Sequence, residues 1–76
     1  MQHDREIDTR GLNCPLPILR TKKALSDVQS GQVLKVVATD PGSVKDFQAF
    51  ARQTGNDLLG QGETQDKAFE FFLKRK

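Results

Sequence analysis

Residues 11–17 read Gly-Leu-Asn-Cys-Pro-Leu-Pro, and this stretch marks the point where a turn leads into the first helix. Pro15 suits the first helical position, because its missing N–H would have no partner there and its φ angle already fits a helix. Pro17 is tolerated because it still lies in the first turn. We therefore expect a helix over residues 15–28, with Cys14 directly before it.

Cys14 is the only cysteine in the chain of 76 residues. Unpaired N–H groups and the helix dipole make a helix start electropositive, which favours the thiolate, the reactive form of a thiol. The two prolines have no N–H, so the main-chain hydrogens of Leu16 and Ile18 are expected to face the sulfur. The alternative is a small buried hydrophobe, as most free cysteines are. The position favours a reactive thiol.

Length and composition predict a single domain over residues 1–76, with a loose tail at residues 1–5. One cysteine permits no internal disulfide, and one histidine, His3, offers no metal cluster. The first six residues have no apolar core, so we expect no secretory signal, and no stretch approaches the length of a membrane span. We therefore expect a cytoplasmic protein that uses no metal and does not associate with membranes.

Hydrophobic patterns predict the element order β-α-β-α-β-β. The expected strands are residues 6–9, 33–39, 57–61 and 67–74, and the expected helices are residues 15–28 and a second one from Ser43 to Gly55, with turns at residues 40–42 and 60–66. Gly31 is expected to cap the first helix in the left-handed conformation. Right-handed crossovers place both helices on one face of a mixed four-stranded sheet. The fold class is α/β (α+β), a two-layer sandwich.

The carboxyl ends of the first two strands meet at one sheet edge if those strands are parallel, and sites in open α/β sheets favour that edge. Cys14 follows the first strand and Asp40 follows the second. Asp40 is interpreted as a turn former. Asp46 is interpreted as the capping-box partner of Ser43 rather than as a catalytic group.

A basic stretch brackets the cysteine, although the net charge of +2 does not by itself indicate a nucleic-acid partner. Between Asp8 and Asp27 the chain has no acid and four bases, Arg10, Arg20, Lys22 and Lys23. On a helical wheel, Leu16 and Leu19 fall on the outward side near some of these bases. The two leucines are either scattered surface apolar residues or a docking patch. The candidate docking residues are Arg10, Leu16, Leu19, Arg20 and Lys23.

The Cys-Pro-x-Pro pattern at residues 14–17 resembles the motif of the TusA/SirA-like sulfur-carrier family. The resemblance extends over residues 7–74 and includes Asp8, Lys23, Gly31, Asp40, Pro41 and Asp46. It implies the same β-α-β-α-β-β sandwich and a persulfide carried on Cys14, with no separate cofactor. The residues around the thiol in this motif, Gly11, Leu12, Asn13, Pro15 and Pro17, are candidates for shaping the site. Asn56 departs from the family pattern, where many members have histidine, and so leaves the choice of partner open.

The resemblance implies a stoichiometric relay rather than an enzyme. The implied donor is a cysteine desulfurase or a rhodanese-like protein, and a downstream protein accepts the sulfur for tRNA thiolation, molybdenum-cofactor work or sulfur oxidation. A single cysteine suits this role, because a second thiol nearby would attack the persulfide and release sulfide. The alternatives are an RNA- or protein-binding regulatory module and a thiol redox sensor. The chain has no Trp or Tyr for base stacking, so we expect no direct nucleic-acid binding. We also expect a monomer.

Overall fold

Residues 33–38 form one of the two inner strands of a four-stranded sheet. They are the most continuous apolar run of the sequence, as expected for a strand paired on both sides. The computed structural model describes residues 2–76 and leaves Met1 outside the described part of the chain. Its elements are β1 (Arg5–Thr9), α1 (Leu16–Leu25), β2 (Val33–Ala38), α2 (Ser43–Thr54), β3 (Asp57–Glu63) and β4 (Phe69–Lys74). The predicted order of elements is confirmed.

The sheet is mixed, and its strand order is β1-β2-β4-β3. β1 pairs with β2 in parallel, whereas β4 is antiparallel to both β2 and β3. Because β1 and β2 are parallel, their carboxyl ends lie at one edge, and the turns that follow them are neighbours there. This is the edge that carries Cys14 and Asp40, as the sequence predicted.

The core lies between the helices and one face of the sheet. The side of α1 opposite Leu16 and Leu19 faces the sheet, since Pro17, Thr21, Ala24 and Leu25 are buried and Ile18 is half-buried, and Val28 just beyond the helix is buried as well. α2 contributes Phe47, Phe50 and Ala51 to the same core, opposite Leu34, Val36, Phe71 and Leu73 of the sheet. Within residues 2–76, neither helix is long and apolar enough to cross a membrane.

The aromatic pair Phe47 and Phe71 joins α2 to the sheet at the centre of this core. Both side chains are 0 % exposed, and their rings stack with centroids 4.3 Å apart. We expect Phe47→Ala to lower the free energy of unfolding by about 3–5 kcal/mol, because it leaves a cavity in a packed interior. Urea unfolding followed by circular dichroism measures the loss. Leu19→Ala is the control, since Leu19 is 52 % exposed and should change stability by less than about 0.5 kcal/mol. Equal losses in the two variants would contradict this core.

The predicted loose tail at residues 1–5 is wrong for the part of it that the structure describes. β1 begins one residue earlier than expected, and Asp4 makes two hydrogen bonds to Val33 at the start of β2. The Asp4 N–H donates to the Val33 carbonyl at 2.9 Å, and Oδ2 of Asp4 accepts from the Val33 N–H at 2.8 Å. On the sheet face without helices, the ring of His3 lies 6.0 Å from that of Phe72, centroid to centroid. These contacts explain why the tail is ordered.

The ends of α1 differ from the prediction. The helix begins at Leu16, with Pro15 in the N-cap position, and it ends at Leu25 rather than Val28. Gly31 does adopt a left-handed conformation, with φ 88°, but it lies in the loop beyond the helix. Its N–H donates to the Arg75 carbonyl at 2.8 Å. The predicted role of Gly31 as a helix cap is therefore wrong, and this residue shapes the entry into β2.

The third strand is longer than predicted, and the predicted turn at residues 60–66 is wrong over residues 60–63 and confirmed over residues 64–66. β3 continues to Glu63, because β4 supplies hydrogen-bonding partners for its glycine-containing end. A register irregularity between Leu58 and Gly60 leaves Leu59 exposed. The turn is formed instead by the following residues, where the Thr64 N–H donates to the Ala68 carbonyl at 2.7 Å.

Candidate functional site

Cys14 lies in a tight turn directly before α1, and its side chain is exposed. Gly11 takes a φ of 81° in the same loop, a value that favours glycine. The turn is closed where the Leu16 N–H donates to the Asn13 carbonyl at 2.8 Å. The thiol is therefore accessible to another protein, and the alternative of a small buried hydrophobe is wrong.

The main-chain donors at the start of α1 are arranged differently from the prediction. The N–H of Leu16 is occupied by Asn13, so the expectation that it faces the sulfur is wrong. The N–H of Ile18 donates no backbone hydrogen bond within residues 2–76. Only one of the two predicted donors is therefore left for a group at the helix start.

The other residues of the motif differ in burial. Leu12 is half-buried and Pro17 is buried, whereas Gly11, Asn13 and Pro15 are exposed. Gly11, Asn13 and Pro15 therefore belong to the surface around the sulfur, and Pro17 does not.

Two threonines hold the turns after β1 and β2 side by side. The Thr9 hydroxyl donates to the Val37 carbonyl at 2.7 Å, and Oγ1 of Thr39 accepts from the Gly11 N–H at 2.9 Å. The loop that carries Cys14 is thereby fixed against the turn at residues 39–42. This turn leads into α2, so the first turn of the second helix also borders the site.

Two half-buried carboxylates converge beside the cysteine loop. A β-carbon added at Gly42 would lie 3.4 Å from Oδ2 of Asp40 and 3.8 Å from Oδ2 of Asp46. A hydrogen bond to the Asp46 side chain, partial burial and the negative charges of Asp46 and Asp40 raise the pKa of the Cys14 thiol. The prediction that the helix start makes this thiol ionise more readily is therefore wrong for the chain by itself.

Asp46 is the residue of the site that the sequence interpretation missed. The pattern indicated a capping box, yet the N-cap of α2 is Gly42, and no side chain caps the helix. The Ser43 hydroxyl is buried and has no hydrogen-bond partner within residues 2–76. The parallel order of the first two strands was the available signal, because it brings the first turn of α2 to the loop of Cys14.

The predicted docking residues form an exposed surface on the outer side of α1. Leu16 is 45 % exposed and Leu19 is 52 % exposed. Arg20 and Lys23 are exposed as well, and neither pairs with a carboxylate within residues 2–76. We call Leu16, Leu19, Arg20 and Lys23 the α1 surface. It combines apolar area with two cations along the helix that Cys14 precedes.

Arg10 is already paired, unlike the bases of the α1 surface. Its Nη2 lies 2.8 Å from Oδ2 of Asp8, and Nε donates to the same carboxylate. Hydrogen bonding to Arg10 lowers the pKa of Asp8, and hydrogen bonding to Asp8 raises the pKa of Arg10. The charge of Arg10 is therefore largely balanced, so its predicted steering of an acidic partner has less support.

Within the described residues, no group of three or more His, Cys, Asp or Glu side chains is arranged to hold a metal ion. The chemistry that the site supports on its own residues is that of one accessible thiol with two neighbouring carboxylates.

Comparisons with known proteins agree with this fold. The family model described as "Sulfurtransferase TusA" matches residues 5–75. The chain is 62 % identical over 72 residues to the sulfur carrier protein TusA of Allochromatium vinosum, a match that covers 95 % of this chain and 93 % of the relative. It is 38 % identical over 74 residues to the sulfur carrier protein TusA of Pseudomonas entomophila, covering 97 % and 91 % of the two chains. The crystal structure of a SirA-like protein from Desulfitobacterium hafniense superposes with a TM-score of 0.83 at 28 % identity, covering 93 % of this chain and 96 % of the other.

Proposed function

The chain belongs to the TusA family of sulfur carriers, and from this membership we propose that it carries one sulfane sulfur atom as a persulfide on Cys14. The observation that supports the assignment to Cys14 is the exposure of the only cysteine at the head of α1. No other residue of the chain offers a thiol. Intact-protein mass spectrometry tests the proposal after the protein is incubated with a cysteine desulfurase and cysteine, and we expect a gain of one sulfur atom.

The proposed loading step exchanges one sulfur–sulfur bond for another. The Cys14 thiol first gives its proton to solvent, and the thiolate attacks the outer sulfur of a persulfide on the donor. The bond between the two sulfurs of the donor breaks, and the donor cysteine leaves as a thiolate. The outer sulfur keeps its hydrogen, so Cys14 ends as a persulfide and no external oxidant or reductant is needed.

The proposed unloading step is the same reaction with Cys14 as the leaving group. A thiolate of the acceptor attacks the outer sulfur, and the Cys14 thiolate departs. The chain has no second thiol that could attack the persulfide internally. The protein therefore acts as a stoichiometric relay rather than as an enzyme that turns over a small-molecule substrate.

The proposed partners are a cysteine desulfurase or a rhodanese-like protein as donor and a downstream protein as acceptor. Both must bring a cysteine to the same exposed sulfur, so the two complexes form one after the other. The proposed setting is the cytoplasm, with the chain acting as a monomer. The proposed pathway that receives the sulfur is 2-thiouridine formation in tRNA, molybdenum-cofactor metabolism or sulfur oxidation.

The alternative of an RNA-binding module receives less support from the structure. Base recognition in single-stranded RNA commonly uses exposed aromatic rings as stacking surfaces. The chain has five Phe residues and no Trp or Tyr. Phe47, Phe50, Phe71 and Phe72 are buried, and Phe69 is half-buried against the core.

The α1 surface is the proposed contact area for the donor and the acceptor. We expect Leu19→Glu to slow loading by the desulfurase at least about tenfold, because it puts a charge into an apolar contact. The initial rate of sulfur gain by mass spectrometry measures the effect. Alkylation of Cys14 by iodoacetamide should stay unchanged, since the thiol itself is intact.

Arg52→Glu is the control for this variant, because Arg52 is an exposed cation in the last turn of α2, whereas the first turn of that helix borders Cys14. It should slow loading much less than Leu19→Glu does. If both variants load at the rate of the parent chain, the α1 surface does not contact the donor.

A further inference from the structure

A groove of about 510 Å³ lies between the carboxyl-terminal parts of α1 and α2. We call it the distal groove, because Cys14 precedes the first residue of α1 and the groove borders its last turn. The ten residues of α1 span about 15 Å at 1.5 Å per residue. A molecule bound in the distal groove would therefore leave the thiol accessible.

Three cationic side chains line the distal groove, and no acidic one does. They are Lys22, Arg75 and Lys76. None of the three lies within ion-pair distance of a carboxylate in residues 2–76. The two helix ends contribute about half a negative charge each, which three full positive charges outweigh. Since the net charge of the whole chain is +2, the groove concentrates positive charge that the rest of the surface lacks.

The distal groove is held in shape by hydrogen bonds to the end of β4 and beyond. The Arg75 guanidinium donates to the Val28 carbonyl. Oδ1 of Asn56 accepts from the Lys76 N–H at 3.0 Å, and its Nδ2 donates to the Thr54 hydroxyl at 2.9 Å. Asn56, which departs from the family pattern, is thus part of the groove wall. The cations are presented by an organised surface.

The wall of the groove also has an apolar part. Leu25 and Phe50 line it, but with 6 % and 7 % of their surface exposed they offer only the edges of two core side chains. A free phosphate or another small anion would fill a small part of a groove of about 510 Å³. A peptide with several carboxylates would reach all three cations.

We propose that the distal groove binds an acidic peptide segment of a protein partner, with carboxylates of that segment against Lys22, Arg75 and Lys76. The charge of the groove selects the acidic character, and its size favours a peptide over a small anion. This inference goes beyond the proposed sulfur relay. A partner bound here could hold the carrier while the exposed cysteine reacts with a second protein.

The test is a titration of the ¹⁵N-labelled Cys14→Ser protein with an acetylated peptide of alternating Glu and Leu, followed by NMR. We expect the amide signals of residues 22–26, 50–56 and 75–76 to shift together. Lys22→Glu should weaken binding about tenfold, since it replaces an attraction by a repulsion. Arg52→Glu is the matched control, because Arg52 is an exposed cation of α2 that does not line the groove. It should weaken binding less than about threefold.

Several outcomes would overturn the proposal. Equal weakening by Lys22→Glu and Arg52→Glu would indicate unspecific attraction by net charge. Equal binding of a peptide with Gln in place of Glu would show that charge is irrelevant. Shifts centred on the α1 surface would place the peptide at the wrong face. An oligouridylate that shifts the groove signals at lower concentration than the peptide would assign the groove to nucleic acid.

The result is independent of the sulfur relay, because the titration uses a protein without the thiol. If Cys14 carries sulfur but the peptide does not bind, only the distal groove proposal fails. If the peptide binds but the parent chain gains no sulfur, only the relay proposal fails.

Discussion

The Cys14→Ser protein is expected to fold like the parent chain and to gain no sulfur from a cysteine desulfurase, whereas the parent chain gains one sulfur atom. The serine hydroxyl does not form a persulfide, and the chain has no other thiol to replace it. Cys14 is exposed and lies outside the core, so the urea midpoint should be unchanged. Intact-protein mass spectrometry measures the added mass, and treatment with dithiothreitol should remove it.

A relocated thiol shows whether the position of the cysteine matters. In the double variant Cys14→Ser, Ser26→Cys, the thiol moves to an exposed residue at the other end of α1. We expect loading to fall at least about tenfold, because the partner surface and the motif turn are no longer beside the sulfur. Equal loading of the relocated thiol would mean that any exposed cysteine suffices. Sulfur gain by Cys14→Ser itself would refute the proposed relay.

A comparison of two reactions of Cys14, oxidation by hydrogen peroxide and loading by the desulfurase, separates a carrier from a redox sensor. A sensor would react with hydrogen peroxide to a sulfenic acid, a reaction that requires the thiolate. The neighbouring carboxylates raise the pKa of Cys14, so peroxide should react slowly at neutral pH. Faster oxidation by peroxide than loading by the desulfurase would favour the sensor.

The order of elements could be predicted from the sequence because the inward residues follow clear periods. Along α1 the buried positions recur at helical spacing, and in β4 Phe69, Phe71 and Leu73 alternate with Glu70 and Phe72. The apolar run at residues 33–39 favours a central strand, because it is short, rich in β-branched residues and flanked by Gly31 and Pro41. With two right-handed crossovers, these features leave little choice of topology.

The boundaries could not be predicted where long-range pairing overrides local preference. Gly60 and Gly62 indicate a turn by themselves, yet both pair with β4. Asp4 looked like part of a loose tail, but its carboxylate and its N–H bind Val33. In each case the partner lies far along the chain, and a local pattern does not contain it.

The cysteine could be identified from the sequence, but its electrostatic surroundings could not. The position of Cys14 at a helix start indicated a readily ionised thiol. That interpretation used only residues 14–18. Asp46 lies far from Cys14 in sequence, and its local pattern with Ser43 indicated a cap. The packing of α2 beside the first loop reverses the expected direction of the pKa shift.

Asp46→Asn is therefore expected to lower the pKa of Cys14 and to speed the reaction of the thiol at neutral pH. The Asp46 carboxylate favours the protonated thiol and repels the thiolate, which raises the pKa of Cys14, whereas the amide has the same size and no charge. Each unit by which the pKa falls raises the thiolate fraction at pH 7 about tenfold. A thiolate of lower pKa is also a weaker nucleophile, and this slows its reaction by roughly a factor of three per pKa unit. The net gain in rate is therefore about threefold per unit.

The rate of alkylation by iodoacetamide across a pH series measures this effect. Below its pKa, the parent thiol should react more slowly than an unperturbed cysteine, and its rate should continue to rise into the alkaline range. For Asp46→Asn the curve should move to lower pH. Asp57→Asn is the control, because Asp57 is exposed at the start of β3, where α2 ends rather than begins. A curve for Asp46→Asn that stays in place or moves to higher pH would show that this carboxylate does not set the thiol pKa.

The same substitution should also speed the release of sulfur from loaded Cys14. In the unloading step Cys14 departs as a thiolate, and a leaving thiol with a lower pKa departs faster. With a small thiol as acceptor at constant pH, the acceptor is identical for parent and variant, so any difference comes from the leaving group. We expect faster release from persulfide-loaded Asp46→Asn than from the parent protein, with Asp57→Asn unchanged. Faster alkylation without faster release would mean that Asp46 acts on the free thiol but not on the departing sulfur.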